Sequence, residues 1–194
     1  MEAWLGIQID REGSFCMKPV TLKGERIVLR PLRMSDAKVL VKYVNDPELT
    51  KYLSITPPLS LKQEQDYVKR TIKGWKIGNE LDWAITLDGK LIGTIALKHV
   101  DKKNMSAELG IWVARAHHRK GVGYESAKLA ISFAFEKLGL NRIYYYLLAP
   151  NVASKKLIEK LGGKYEGTQR ETTKKGNVFY DSCTYAILRR EWKK

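Results

Sequence analysis

Residues 105–127 read Met-Ser-Ala-Glu-Leu-Gly-Ile-Trp-Val-Ala-Arg-Ala-His-His-Arg-Lys-Gly-Val-Gly-Tyr-Glu-Ser-Ala. An apolar strand ends in this stretch, a basic turn follows, and the step Gly121-Val122-Gly123 opens a helix. The first amides of a helix have no partner inside it and carry partial positive charge, so they suit a phosphate. Glycine lets that backbone approach the anion closely. The stretch therefore spells a candidate pyrophosphate cradle. An ordinary strand–loop–helix connection reads the same way locally, so the surrounding chain has to decide. Neither of two common nucleotide motifs fits. Ser126 stands where Gly-x-Gly-x-x-Gly needs its third glycine, and Gly-x-x-x-x-Gly-Lys-Ser/Thr does not occur.

Upstream of the cradle, residues 26–32 alternate as a strand and stop at Pro31. Ser35 is placed to cap a helix running to about Asn45, before Asp46-Pro47. Ser60 and Gln63 form a capping box for a second helix, with Tyr67, Ile72 and Trp75 as its inward residues. Strands over 82–87 and 90–99 flank Asp88-Gly89, a two-residue hairpin signal, and a further strand covers 107–114. Downstream, a helix over 121–138 carries Tyr124, Ala127, Ala130, Ile131, Ala134 and Leu138 on one stripe and ends at Gly139. Residues 143–149 are apolar throughout, as a strand covered on both faces would be. Asn151 or Ser154 starts a last helix closed by Gly162-Gly163, and two strands near 164–174 and 178–189 turn at 175–177. This order predicts an α/β (α+β) single domain with a mixed central sheet flanked by helices.

The length of 194 residues suits one such domain. Residues 1–18 fit the rest poorly. Met17 opens Met-Lys-Pro-Val-Thr-Leu, which reads as a natural start, so 1–18 are set apart as an N-terminal extension and 19–194 as the domain. No apolar run reaches the roughly 20 residues that span a bilayer, and the acidic N-terminus is unlike a secretory signal, which points to the cytoplasm and away from membranes. Cys16 and Cys183 form no metal-type pair, and His117-His118 are adjacent and point apart, so no metal site is expected. The net charge of +14 attracts polyanions: nucleotide-like cofactors, RNA, ribosomes or acidic peptides. Residues 151–194 alone hold 11 Lys/Arg against 5 Asp/Glu. A solvated basic surface is the plainer account, and no RNA-binding motif with interleaved aromatics stands out, so direct sequence-specific nucleic-acid binding is not expected.

With these elements in this order, residues 20–192 resemble the GCN5-related N-acetyltransferase (GNAT) superfamily, and within it the ribosomal-protein alanine N-acetyltransferases of the RimJ/RimL type. Arg26-Ile-Val-Leu-Arg-Pro-Leu-Arg-Met-Ser-Asp36 looks like that branch's opening strand and first helix. Glu108-Leu-Gly-Ile-Trp-Val113 is similar to its fourth strand, and His118-Arg-Lys-Gly121-Val-Gly123 falls on Gln/Arg-x-x-Gly-x-Gly/Ala. Leu140-Asn-Arg-Ile143 and Asn151-Val-Ala-Ser154 match the fifth strand and the helix beyond, and Asp181 through Trp192 the closing strand. Two positions depart from the pattern: His118 replaces the usual Gln/Arg, and Gly163 replaces a phenylalanine that packs near the acyl site.

The resemblance implies splayed fourth and fifth strands with acetyl-CoA between them, as cosubstrate for acetylation of a primary amine. The backbone of Ile111, Trp112 and Val113 would pair with pantetheine, and one amide would polarise the thioester carbonyl. His118, Arg119, Lys120, Gly121, Val122, Gly123 and Tyr124 would line the pyrophosphate, with Arg119, Lys155 or Lys156 in reach of the adenosine phosphate. Asn151 matches the residue that hydrogen-bonds the pantetheine arm. Glu108, at the strand entry, is the candidate base that takes the proton of the amine, or else a positioning group. Leu157 and Ile158 leave no tyrosine in the neighbourhood where many relatives carry the thiolate's proton donor, and Ser154 stands where the branch has a serine that can donate to sulfur. The acceptor expected is the N-terminal α-amine of a protein or peptide, ribosomal proteins included. Small amines such as polyamines, aminoglycosides or amino-acid derivatives are the second reading: the net charge of +14 repels cations in bulk, but Asp46, Glu48, Glu64 and Asp66 on the acceptor side leave room for a local acidic pocket. A non-catalytic CoA-binding protein is the third. A monomer and a homodimer both fit.

Overall fold

The structure is a computed structural model that describes residues 7–9 and 15–193, with side chains from Met17 onward. Of the segment 1–18, strands β1 (Ile7–Ile9) and β2 (Phe15–Met17) pair as an antiparallel hairpin, and Met17 is buried in the main core. Residues 1–6 and 10–14, and Cys16 as a side chain, lie outside the described residues.

An eight-stranded sheet runs in the order β3 (Leu22–Lys23), β4 (Ile27–Pro31), β5 (Leu81–Leu87), β6 (Lys90–Asp101), β7 (Ser106–Val113), β8 (Arg142–Leu148), β10 (Val178–Leu188), β9 (Lys164–Lys175). All its pairs are antiparallel except β7–β8. The β5–β6 turn takes the expected form: Asp88 (φ 49°) and Gly89 (φ 74°) both have positive φ, as a two-residue turn matching the strand twist requires. Helix α4 (Val122–Glu136) lays Ala127, Ala130, Ile131 and Ala134 on one face of the sheet, over Ile85, Ile95 and Leu109. Trp75, Trp83 and Phe133 stack edge-on within this layer, with ring centroids 4.9 and 5.7 Å apart. Such contacts contribute about 0.5–1.5 kcal/mol each beyond burial.

The opposite face is covered by α1 (Ala37–Val44) and α3 (Leu61–Ile77), through Ala37, Leu40 and Val68 packed on Ala84 and Leu91. Arg30 and Asp36, both within the family-like opening stretch, form a two-bonded ion pair at 2.7 and 2.8 Å that fixes the entry to α1. Asp36 also accepts from the Arg33 amide at 2.8 Å. Ser35 is therefore not a cap; it lies inside a 3-10 turn, Met34–Asp36, that precedes α1. Ser60 and Gln63 cap α3 as expected. Its buried stripe is Glu64, Val68, Thr71 and Trp75, while Ile72 is exposed. Helix α2 (Pro47–Thr50) is a single turn capped by Asp46, and a loop follows it. That loop is tied to the β9–β10 hairpin by Lys175, whose ammonium donates to the carbonyls of Thr50 and Leu53 at 2.6 and 2.7 Å. Burial pulls the Lys175 pKa down.

Helix α5 (Val152–Lys160) packs Ile158 into the main core, and Leu161, the residue that follows it, does the same. Its end needs glycine twice. Gly162 has φ 89°, and a side chain at Gly163 would put Cβ 2.6 Å from Ile158 Cγ1 and 2.9 Å from the Ile158 carbonyl. The phenylalanine of the family pattern has no room at this position.

Candidate active site

The sheet opens between β7 and β8. Their parallel pairing covers Ser106–Arg142, Ala107–Ile143 and Glu108–Tyr144 and then stops, although β7 continues to Val113 and β8 to Leu148. On its other edge β7 stays paired to β6 as far as Gly93–Val113. The backbone of 109–113 thus presents one edge to the opening without a strand partner. These two strands are the fourth and fifth of the expected fold, and their divergence is the predicted splay. It also corrects the expectation for 143–149. Ile143, Tyr145 and Leu147 join the main core and Leu148 is buried too, but Tyr144 is half-buried and Tyr146 is exposed, so the second face is covered only at its Leu148 end.

At the far end of β7 the chain makes the glycine turn. Arg119 (φ 59°) and Gly121 (φ 79°) are left-handed, and the first helical bond of α4 runs from the Glu125 amide to the Gly121 carbonyl at 3.0 Å. The amides of Val122, Gly123 and Tyr124 precede it and face the mouth of the opening as the free first turn of a helix. A Cβ at Gly123 would sit in ordinary van der Waals contact with the Val113 and Ile111 side chains, at 3.8 and 4.0 Å, so the start of α4 lies close against the end of β7. His118 does not aim its ring at the helix amides. Its Nε2 lies 2.7 Å from the Val113 carbonyl, which can only accept, so this nitrogen is the one protonated. His118 therefore pins the turn to the end of β7.

Sequence reasoning missed two residues that hold this turn in place. Glu125 accepts the Arg26 amide at 2.9 Å and the Arg26 side chain at 3.1 Å, and Arg26 also donates to the Lys120 carbonyl at 2.9 Å. Partial burial alone would raise the Glu125 pKa, but the amides of Arg26 and Ile27 and the Arg26 guanidinium outweigh it and hold the carboxyl below its ordinary value. Tyr124 lies under Lys160, whose Nζ is 4.6 Å from the ring centroid, so α4 and α5 are joined across the top of the opening.

Along the opening, Asn151 caps α5: its side-chain oxygen accepts the Ser154 amide at 3.1 Å. Ser154 is half-buried and meets the hydroxyl of Tyr145. Burial raises the Tyr145 pKa, and the Ser154 hydrogen bond partly offsets this. This tyrosine comes from β8, which is why a search of the last helix does not find it.

A cavity of about 380 Å³ occupies the α1/α3 side of the opening, and Glu108, Asn151, Ser154 and Tyr145 all line it. Glu108 sits at the vertex, the last residue before β7 and β8 part. Its Oε2 is 3.8 Å from Nε2 of the exposed His99. Of the four acids noted between 46 and 66, only Glu64 reaches the cavity. Asp46 is used as a helix cap and pairs with Arg115 at 3.3 Å, Asp66 pairs with Lys69 on the surface, and Glu48 is exposed. Burial raises the Glu64 pKa, with Arg70 opposing. Asp82 joins it from β5, fully buried, with its pKa pushed up by burial to about 6. Among the described residues no three His, Cys, Asp or Glu side chains converge as a metal would need, and no helix is long and apolar enough to cross a membrane. Cys183 is a buried free thiol.

Residues 26–164 match the acetyltransferase (GNAT) domain, and the chain belongs to that family. Its activity is acetyl transfer. Among its relatives, the uncharacterized N-acetyltransferase p20 of Bacillus licheniformis is 32% identical over 89% of this chain and 98% of its own. YdaF of Bacillus subtilis, whose name puts it forward as a ribosomal N-acetyltransferase, is 30% identical over 87% of this chain and 94% of its own. Among solved structures, Mycobacterium smegmatis RimJ in complex with CoA-disulfide superposes with a TM-score of 0.82 at 21% identity, over 90% of this chain and 91% of that one. A spermidine N-acetyltransferase from Vibrio cholerae, in complex with CoA and spermine, gives 0.78 at 22% identity, over 87% and 98%. The same fold thus serves acetyltransferases named for different amine acceptors.

Proposed function

We propose that the domain 19–194 transfers acetyl from acetyl-CoA to a primary amine, and that its acceptor is the N-terminal α-amine of a protein or peptide. The observation that carries the reading is the opening between β7 and β8. It has an unpaired backbone edge at 109–113, free helix amides at 122–124 at its mouth, and a carboxylate at its vertex. Acetyl-CoA fits these features: a flexible amide-bearing arm for the strand edge, a pyrophosphate for the glycine turn, and a thioester that supplies the activated acetyl group.

The chain's residues then divide the work. The edge of Ile111, Trp112 and Val113 orients the arm, Asn151 offers its amide nitrogen, and the amides of the Gly121–Tyr124 turn hold the phosphates. Transfer forms an N–C bond and breaks the C–S bond; the proton released as the amide forms ends on the departing sulfur, and an amine that arrives as an ammonium must first give up one proton. Glu108 takes that proton, and the exposed His99 beside it gives the proton a path to solvent. Ser154, backed by the Tyr145 hydroxyl, donates a hydrogen bond to the departing sulfur. An α-amine ordinarily titrates at about 7.7–8.0 and a lysine at about 10.4, so at neutral pH the α-amine loses its proton at lower cost. One carboxylate base is therefore matched to it. The net charge of +14 favours acidic or ribosome-bound protein substrates in the cytoplasm. A small-amine acceptor is the second reading, and Glu64 and Asp82 in the cavity are the specific observation for it.

The experiment is a panel of short peptides starting with Ala or Ser, spermidine and an aminoglycoside, incubated with acetyl-CoA and read by mass spectrometry. The expected result is acetylation of the peptide α-amine. A much higher kcat/KM for spermidine or the aminoglycoside than for every peptide would replace the α-amine by the small amine.

A further inference from the structure

Asp82 is charged, fully buried and only half satisfied. Its Oδ1 accepts the Tyr67 hydroxyl at 2.7 Å, while its Oδ2 is buried with no hydrogen-bond partner. A buried carboxylate oxygen left unpaired is costly, and asparagine would accept the same tyrosine without the charge. Such groups persist where something outside the fold completes them.

The register shows what lies in front of Asp82. Asp82 pairs with Ala96, and Ala96 with Gly110, so the three form one row across β5, β6 and β7. Ala96 puts only a methyl group into that row and Gly110 nothing of its own, but the Lys98 side chain lies over Gly110, where a Cβ would meet its Cε at 3.3 Å and its Nζ at 3.5 Å. The row is a shallow trough in the same cavity, between the carboxylate and the opening where β7 leaves β8, with the Lys98 side chain laid across its Gly110 end. Two strand spacings make it about 10 Å between the backbones at its ends. Asp82 is too far along it to serve the reacting nitrogen directly, a position that belongs to Glu108. Around the trough, Glu64 faces from α3, and Arg70 is paired with Glu80 at 3.4 Å and lies over the Tyr67 ring. Lys98 is the further cation lining it. Three carboxylates, Asp82, Glu64 and Glu108, against two cations, Arg70 and Lys98, leave the lining negative by one charge inside a strongly basic protein.

We propose that the Asp82 carboxylate, oriented by Tyr67 and backed by Glu64, binds a second positive charge on the acceptor: an ammonium or guanidinium carried beyond the amine that receives the acetyl group. The proposal rests on the acetyl-transfer reading of the same cavity. A monocation would fill the site at the vertex and leave Asp82 unpaired; a dication satisfies both ends of the trough. The second charge has two chemical sources, a free diamine or a basic side chain close to a peptide's α-amine.

Two matched pairs of acceptors separate these sources: n-butylamine against 1,4-diaminobutane, and Ala-Ala-Ala against Ala-Lys-Ala. With the full chain and saturating acetyl-CoA, the dication of at least one pair should have the higher kcat/KM by about tenfold, the order expected for one well-placed buried charge pair. The pair showing the effect identifies the source. Asp82→Asn should bring that ratio close to one, and Tyr67→Phe, which frees Oδ1, should shift it less. A ratio near one for the wild type in both pairs, or an unchanged ratio in Asp82→Asn, overturns the proposal. Thermal shift keeps this separate from the transfer reading. Melting temperature should rise with 1,4-diaminobutane more than with n-butylamine, whether or not any acetyl group moves. That shift without transfer would leave the cation site standing and remove the acetyl-transfer function. Transfer without dication preference or shift would do the reverse.

Discussion

The glycine-turn side of the opening is built from backbone and from one contiguous stretch, 105–127. The acceptor side is built from side chains that arrive separately from α3, β5, β6 and β7. In the first, side chains brace the backbone: Glu125 and Arg26 hold the turn and His118 pins it to Val113, while His117 Nδ1 is buried without a hydrogen-bond partner. The second retains a buried oxygen without a partner and carboxylates whose pKa values burial raises. A site that holds an invariant piece of a ligand can leave only backbone groups unpaired, fixed in place by a strand and a helix. A site that selects a variable piece keeps its polar groups unpaired until the ligand comes. The largest effects of mutation should therefore fall where chemistry joins the two sides, and a stability gain should appear only on the acceptor side.

Glu108→Gln should lower turnover by about 10- to 10,000-fold at neutral pH, with acetyl-CoA affinity nearly unchanged. The defect should shrink at high pH, where the amine is already free. Equal loss at every pH, measured as a kcat profile, would make Glu108 a positioning group and leave the vertex without a base.

Asp82→Asn should make the protein more stable while impairing it. The folded pKa of about 6 lies above the ordinary 3.8, so the folded state binds the proton more tightly than the unfolded chain does. Stability from this group is therefore present below about pH 4 and lost as pH rises through 6, a cost of about 3 kcal/mol at about 1.4 kcal/mol per unit. Denaturant melts of wild type and Asp82→Asn should diverge over this window, with the variant ahead at pH 7. Parallel curves would mean that Asp82 is satisfied in the free protein, and the contrast between the two sides would fail.

Lys175→Met should cost about 1–3 kcal/mol, because loop carbonyls that the ammonium now satisfies lose their donor. The loop after α2 lines the cavity, so the acceptor KM should rise while calorimetry finds acetyl-CoA binding intact. Smaller still in its functional effect, Gly163→Ala should destabilise by about 1–3 kcal/mol through the Ile158 contact, with no change in acceptor choice. A shift in choice would tie α5 to the acceptor side.

The same contrast explains what can be read from the chain. The glycine turn, the hairpin at Asp88-Gly89 and the cap at Ser60 are local, since each depends on residues within a few positions of one another. Glu108 and Ser154 are legible through the resemblance, and the structure brings both to one cavity. Asp82 escapes a reading of the sequence, although a signal is present. Residues 81–86 are all buried, so Asp82 is a charge inside a strand covered on both faces, where a solvated role is unavailable. Glu64 stands out in sequence only as one of four acids. Its place in the buried stripe with Val68, Thr71 and Trp75 is hidden because half of that stripe is polar. That mixture also makes Ile72 look inward. The open face of β8 is hidden for another reason: tyrosine and leucine neighbours beside a ligand opening look the same in sequence as residues beneath a helix.

Calorimetric titration of the intact protein with acetyl-CoA tests the central claim most directly. Binding is expected for the wild type, weakening as salt is raised because the phosphate contacts are charge-based. It should be lost or strongly reduced in Gly121→Val, where a left-handed φ of 79° excludes a branched side chain and distorts the turn. Absence of any heat of binding in the folded wild-type protein would contradict the assignment of the β7–β8 opening to acetyl-CoA.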